Sequence, residues 1–411
     1  MKRRTYNAIQ SGRNFLLIMI LIAILFIGGI CGTLYAIHYS ATSSEMTTLQ
    51  SQGMVHLTTL SDGSKINVVV KGAQPGNHTL VTIGGMGYQD YGIYMDYITS
   101  PLQTENRLVI VDRLGTGMSD DTSENRTAQA IVEEYRTALQ KNMIDGPYVL
   151  LAHEIGAAYA TLWQSTYPSE IEGIVYVDPN PVNTSYMGLN IDEKAQWLSL
   201  GCKIGLQRLI YDKYYTPESA RLPSSYVQLS SIYNSHSLFT SGYLSEVENA
   251  TKNFSIMDTV QPTDIPKMYI NCSYAFETRE EALTYVDYMN AQARSIGQDK
   301  VFESPEVAAD ICLSQSQEMT SVISAIVNRL GNCSLVKMPG GATVYEQHHG
   351  VLQAAILDFV DYLDGETPSL KDRYVDGILE EWQQKQKEQQ LAEAQEQESL
   401  DPENTETESE S

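Results

Sequence analysis

The chain has 411 residues and a formal net charge of -24, from 27 Lys and Arg against 51 Asp and Glu. That length holds one large domain with attachments, or two of ordinary size, around a sizeable core. The acidity excludes a nucleic-acid binder, because phosphate recognition draws its affinity from clustered Lys and Arg that release counterions.

At the N-terminus, Lys2, Arg3, Arg4 and Arg13 precede an almost uninterrupted apolar run from Phe15 to Ile37. A secretory leader has a shorter apolar region, about 7 to 15 residues, ending at a small-residue cleavage site. Residues 15–38 are therefore expected to be an uncleaved signal anchor that holds the chain in the cell membrane. The positive charges place the basic segment 1–14 in the cytoplasm and everything after about Tyr39 outside. Residues 39–53, rich in Ser, Thr and Gln, read as a polar tether.

A folded domain is expected over 54–363, where strand-like apolar runs alternate with helical periodicity, as in a mostly parallel sheet with helices on both faces. The runs Met54 to Leu60 and Lys65 to Val70 form a hairpin about Ser-Asp-Gly-Ser. Six further strands follow at Leu80 to Ile83, Leu108 to Val111, Tyr148 to Ala152, Ile174 to Val177, Lys267 to Ile270 and Leu335 to Met338. Helices are predicted over Ala128 to Gln140, Gly156 to Thr166, Glu280 to Arg294, Pro305 to Leu330 and Gly350 to Leu363. The stretch at about 181–262 breaks the alternation and carries Tyr211, Tyr214, Tyr215, Tyr226, Tyr233 and Tyr243. It reads as an inserted helical cap over the carboxyl edge of the sheet, where such folds bind ligands. Residues 364–411 read as a polar helical segment followed by an acidic disordered tail. Outside the span, Cys202, Cys272, Cys312 and Cys333 allow three disulfide pairings, or serve as small buried apolar residues.

Three local patterns resemble the α/β-hydrolase superfamily. Ile83-Gly84-Gly85-Met86-Gly87 is similar to its oxyanion loop, with Ile83 in place of the usual His. Val111-Asp112-Arg113-Leu114-Gly115-Thr116-Gly117-Met118-Ser119-Asp120 looks like its segment after the fourth strand, in which Asp112, Arg113, Gly115, Gly117 and Ser119 are expected to shape a loop. Leu150-Leu151-Ala152-His153-Glu154-Ile155-Gly156-Ala157 aligns with its nucleophile elbow. The resemblance implies an α/β-hydrolase fold with a capped crevice, and an oxyanion hole built from Gly85, Met86 and Ile155. His153 supports the elbow by packing, and Gly156 keeps the turn clear.

Glu154 stands where the resemblance calls for serine, and it has no hydroxyl to activate. The family's acid falls near Ala275, with Glu277 the nearest carboxylate, and its His falls at Ala342, with His348 and His349 several residues later. Asp178 sits where some lipases keep their acid. A Glu154 ester would need a base, and only His348 or His349 offers one. The expectation is a catalytically impaired hydrolase scaffold that binds a small molecule or a protein, with Glu154 as a built-in anion at the oxyanion loop. The alternative is an active hydrolase of small esters, amides or epoxides using Glu154 with His348 or His349. No metal-ligand spacing is present and no cofactor is implied.

Overall fold

The computed structural model describes residues 2–179, 193–209, 222–295, 301–341, 344–375, 377–380, 382–384, 387 and 391. The first element is one long helix, α1 (Lys2–Ser51), within which Asn14–Ser51 contains a window apolar and long enough to cross a membrane. Of the polar stretch 39–53, residues 39–51 are thus helical rather than a tether. Leu49 is fully buried and Met46 packs against the core, and tertiary burial of one face overrides a linker-like composition.

The core is an eight-stranded sheet of β1 (Leu57–Thr59), β2 (Lys65–Gly72), β3 (Thr79–Ile83), β4 (Arg107–Asp112), β5 (Tyr148–His153), β6 (Ile171–Val177), β7 (Thr263–Asn271) and β8 (Gly331–Lys337). Their order is β1-β2-β4-β3-β5-β6-β7-β8. The β1-β2 and β2-β4 pairs are antiparallel and all the others parallel. This is the α/β-hydrolase fold that the motifs imply. Successive residues of β5 feed opposite layers: Val149 and Leu151 join one core, Leu150 and Ala152 the other. The strand is apolar throughout because both its faces are covered.

On the first face lie α2 (Tyr91–Ile98), α8 (Arg279–Ser295) and α10 (His349–Leu363). On the second lie α3 (Ala128–Lys141), α4 (Gly156–Thr166) and the C-terminal half of α9 (Pro305–Leu330). Helix α2 has no counterpart in the sequence reading. Its residues Tyr91 to Met95 are all buried, so no polar face marks it by periodicity.

Among the described residues, the cap includes α5 (Glu193–Lys203), α6 (Ser224–His236) and α7 (Ser241–Phe254). Tyr211, Tyr214 and Tyr215 lie outside the described residues. After α10 the chain adds an edge to the sheet, with Lys337 N–H donating to Asp372 O and Tyr374 N–H to Lys337 O, both at 2.9 Å. Tyr374, Val375, Ile378 and Trp382 are then buried, so the folded body extends past the expected boundary at 363. All five cysteines are free thiols. Cys272 is fully buried and burial pushes its thiol well above the ordinary value.

Candidate active site

The elbow forms where β5 meets α4. Glu154 adopts φ 50°, the left-handed region that costs an L-residue roughly 1–2 kcal/mol. Its N–H donates to Val177 O at 3.1 Å, and its carbonyl accepts from Ala157 N–H at 3.0 Å. The turn depends on Gly156, where a Cβ would stand 2.3 Å from Ile83 O.

The side chain of Glu154 is buried and points to the loop after β3. Its Oε2 accepts the Met86 N–H at 3.1 Å. A Cβ on Gly85 would fall 2.7 Å from His153 Nδ1 and 2.8 Å from Glu154 Oε2, so only glycine allows this approach. Ile155, fully buried, leads into α4. His153 is stacked on Tyr91 at 5.2 Å and met edge-on by Tyr88 at 4.7 Å and Tyr345 at 4.9 Å. Aromatic packing holds it behind the elbow.

The segment after β4 holds this loop from below. Arg113 donates through Nη1 to Gly84 O and through Nη2 to Gly85 O, both at 2.9 Å. With the loop carbonyls turned to the guanidinium, the Met86 amide is left for Glu154. Asp112 accepts from Met118 N–H at 3.0 Å and from the Asn67 amide at 2.9 Å, while Ser119 Oγ donates to Asp112 O. Burial, outweighing these bonds, raises the Asp112 carboxyl to about 6. Gly115 (φ 86°) and Gly117 (φ 51°) turn the loop; Gly115 also meets Gly242 of the cap so closely that a Cβ would lie 2.9 Å from its Cα.

Each of the remaining candidates has partners of its own. Asp178, at φ 44°, is buried and accepts from Cys272 N–H, Ser273 N–H and Ser273 Oγ, tying the ends of β6 and β7 together. Burial raises its carboxyl above the ordinary range. Ala275 is buried. Glu277 faces Lys337 and Arg373, and the Lys337 hydrogen bond lowers its carboxyl. Its charge is thereby engaged at the sheet edge. Ala342 lies outside the described residues. His348 is 1 % exposed, and its Nε2 accepts from Trp382 Nε1 at 3.0 Å. That bond places the neutral ring's proton on Nδ1. His349 packs between Tyr94 and Tyr97, at 5.7 and 5.3 Å.

Sequence reasoning missed two acids in this region. Burial first, then the charge of Asp90, pushes the Glu346 carboxyl up to about 8, with the Tyr345 hydroxyl opposing. Asp90 is itself buried and raised, while Ser230 and Asn234 of α6 donate to its Oδ2. Tyr88 senses the charges of Glu154, Glu346 and Asp178 together. Neither acid belongs to a motif, and only the fold of α2 and α6 encloses Asp90.

No family model matches the chain. It is 31% identical over 193 residues to the uncharacterized protein YbdG of Bacillus subtilis, covering 46% of this chain and 58% of that protein. With the uncharacterized protein C23C11.06c of Schizosaccharomyces pombe it shares 28% over 173 residues, 39% of this chain and 31% of that one. The chain thus matches less than two thirds of the length of either relative. Among solved structures, it is similar to a membrane phospholipase A described as a bacterial virulence factor, at 14% identity over 84% of this chain and 98% of that chain, with a TM-score of 0.49. It is also similar to an esterase from Exiguobacterium antarcticum, at 13% identity over 76% and 100%, with a TM-score of 0.47.

Proposed function

We propose that this protein is a membrane-anchored, extracytoplasmic member of the α/β-hydrolase fold whose crevice binds a ligand or a protein instead of turning over an ester. One observation carries this reading: the carboxylate of Glu154 accepts the Met86 N–H at 3.1 Å. In a working hydrolase that donor is reserved for the negative charge that develops on the substrate. Here a side chain that brings no hydroxyl engages it. The engagement of His348 by Trp382 and the burial of Ala275 support the same reading. The anchor rests on the apolar run Phe15 to Ile37 within the helix Asn14–Ser51, and the outward orientation on Lys2, Arg3, Arg4 and Arg13 ahead of it.

A second reading is favoured by the left-handed backbone retained at Glu154, since strain of that kind is stored where a group must be aimed. Glu154 would then be a nucleophile served by His348 or His349. The deciding experiment sets the full chain beside Glu154→Gln on panels of ester, amide and epoxide substrates. Absence of turnover in both is expected. Turnover that disappears in Glu154→Gln overturns the binding reading in favour of the second.

A further inference from the structure

The cap is fastened to α1 at one level. Arg208 sends Nη1 and Nη2 to the two carboxylate oxygens of Glu45 at 2.6 and 2.7 Å, Nε to His38 Nδ1 at 2.8 Å, and Nη2 to Thr42 Oγ1 at 3.1 Å. His38, Thr42 and Glu45 recur at the spacing of one helix face. Gly205 lies against the same face, where a Cβ would stand 2.5 Å from that of His38.

His38 is the residue immediately after the apolar run Phe15 to Ile37. At about 1.5 Å per residue that run spans roughly 34 Å, against about 30 Å of hydrocarbon. The cap segment around Gly205 and Arg208 is therefore held at the height where α1 leaves the bilayer. Beside it stand Trp197, Leu200 and Leu209, exposed by 70, 54 and 63 %, with Leu198 at 39 %. Apolar side chains exposed together on α5 and shortly after it mark an interaction surface, and a tryptophan among them suits the headgroup boundary.

We infer that α5 and Leu209 rest in the outer headgroup layer of the bilayer, held there by the Arg208 to Glu45 pair, so that the cap is a second membrane contact. The inference builds on the membrane-anchored part of the proposed function. The partner surface is lipid, because the latch places these side chains beside the emerging anchor and not at the far end of the domain.

The test uses the full chain in phosphatidylcholine vesicles with and without lipids brominated high on the acyl chain. Of the three tryptophans, Trp163 and Trp382 are fully buried, so the emission lost in Trp197→Phe isolates Trp197. That component is expected to fall by about twofold in brominated lipid, as for an indole at the interface. Ile24→Trp, made in the Trp197→Phe background, reports on the span itself. Quenching of Ile24→Trp without quenching of Trp197 overturns the inference and leaves the anchor standing. Quenching of neither removes both. Arg208→Ala is expected to weaken quenching of Trp197 alone, and undiminished quenching there would overturn the latch.

Discussion

Arg113 and Glu246 form a buried, two-pronged ion pair between the loop after β4 and the cap, with Nε to Oε2 at 3.0 Å and Nη2 to Oε1 at 2.8 Å. Tyr159 adds its hydroxyl to Glu246 Oε1 at 2.8 Å. Because the same guanidinium holds Gly84 and Gly85, one residue positions both the cap and the loop after β3. Arg113→Ala is expected to destabilise the protein by about 3–5 kcal/mol, since it strands a buried carboxylate. Arg113→Leu combined with Glu246→Leu should cost markedly less. Urea unfolding of the full chain and of both variants measures this, and equal losses would show that charge pairing is not the cause.

Gly156→Ala puts a methyl carbon 2.3 Å from Ile83 O, against backbone that β3 holds in the sheet. The strand or the elbow must then shift, at a cost of about 1–3 kcal/mol or more. Gly53→Ala, with only the flexible Lys71 Nζ 3.9 Å from its Cβ position, meets no such wall, although its φ of 67° carries some strain. A drop in Tm for Gly156→Ala well beyond that of Gly53→Ala is expected.

Glu346 gives the protein a pH signature. Its folded value of about 8 lies above the ordinary 4.5, so folding takes up a proton across that interval. The stability lost to Glu346 therefore grows as pH rises from about 4.5 to about 8 and is constant beyond. Glu346→Gln should leave Tm little changed near pH 4.5 and raise it increasingly toward pH 8. A difference in Tm that is flat with pH would contradict the raised carboxyl.

Trp382 tests whether the segment after α10 belongs to the fold. Its fully buried ring stacks with Tyr288 at 5.9 Å and donates to His348. Trp382→Ala should cost about 3–5 kcal/mol through the cavity it opens. Trp382→Phe should cost less, mainly through the donor withdrawn from His348, about 1–3 kcal/mol. Calorimetric unfolding of the full chain checks both, and an unchanged Tm in Trp382→Ala would mean that the segment is not docked.

The legible parts of this fold were those written locally. The run from Tyr148 through Thr166 announces strand, turn and helix within one stretch, and α4 and α9 fall within the limits their periodicity predicts. The elbow was legible as geometry because Ala152, Glu154 and Gly156 are neighbours in sequence. What escaped was non-local. Glu246 meets Arg113 across a chain separation of 133, and no residue near either announces the other. Helix α2 was hidden by its own burial. The helical course of residues 39–51 was hidden by a composition that suits a linker, because the contacts made by Met46 and Leu49 lie in the distant core.

The continuity of α1 also governs how the domain moves. The helix runs unbroken from Lys2 to Ser51, Leu49 is sealed beneath the domain, and Met54 N–H closes onto Leu49 O at 2.8 Å, which leaves no swivel between shaft and head. Any twist or lean imposed on the apolar half of that shaft is transmitted as torque to the antiparallel edge of the sheet. With Asn14–Ser51 set in a bilayer as proposed, the domain would ride as the head of a mast, its bearing fixed by the shaft.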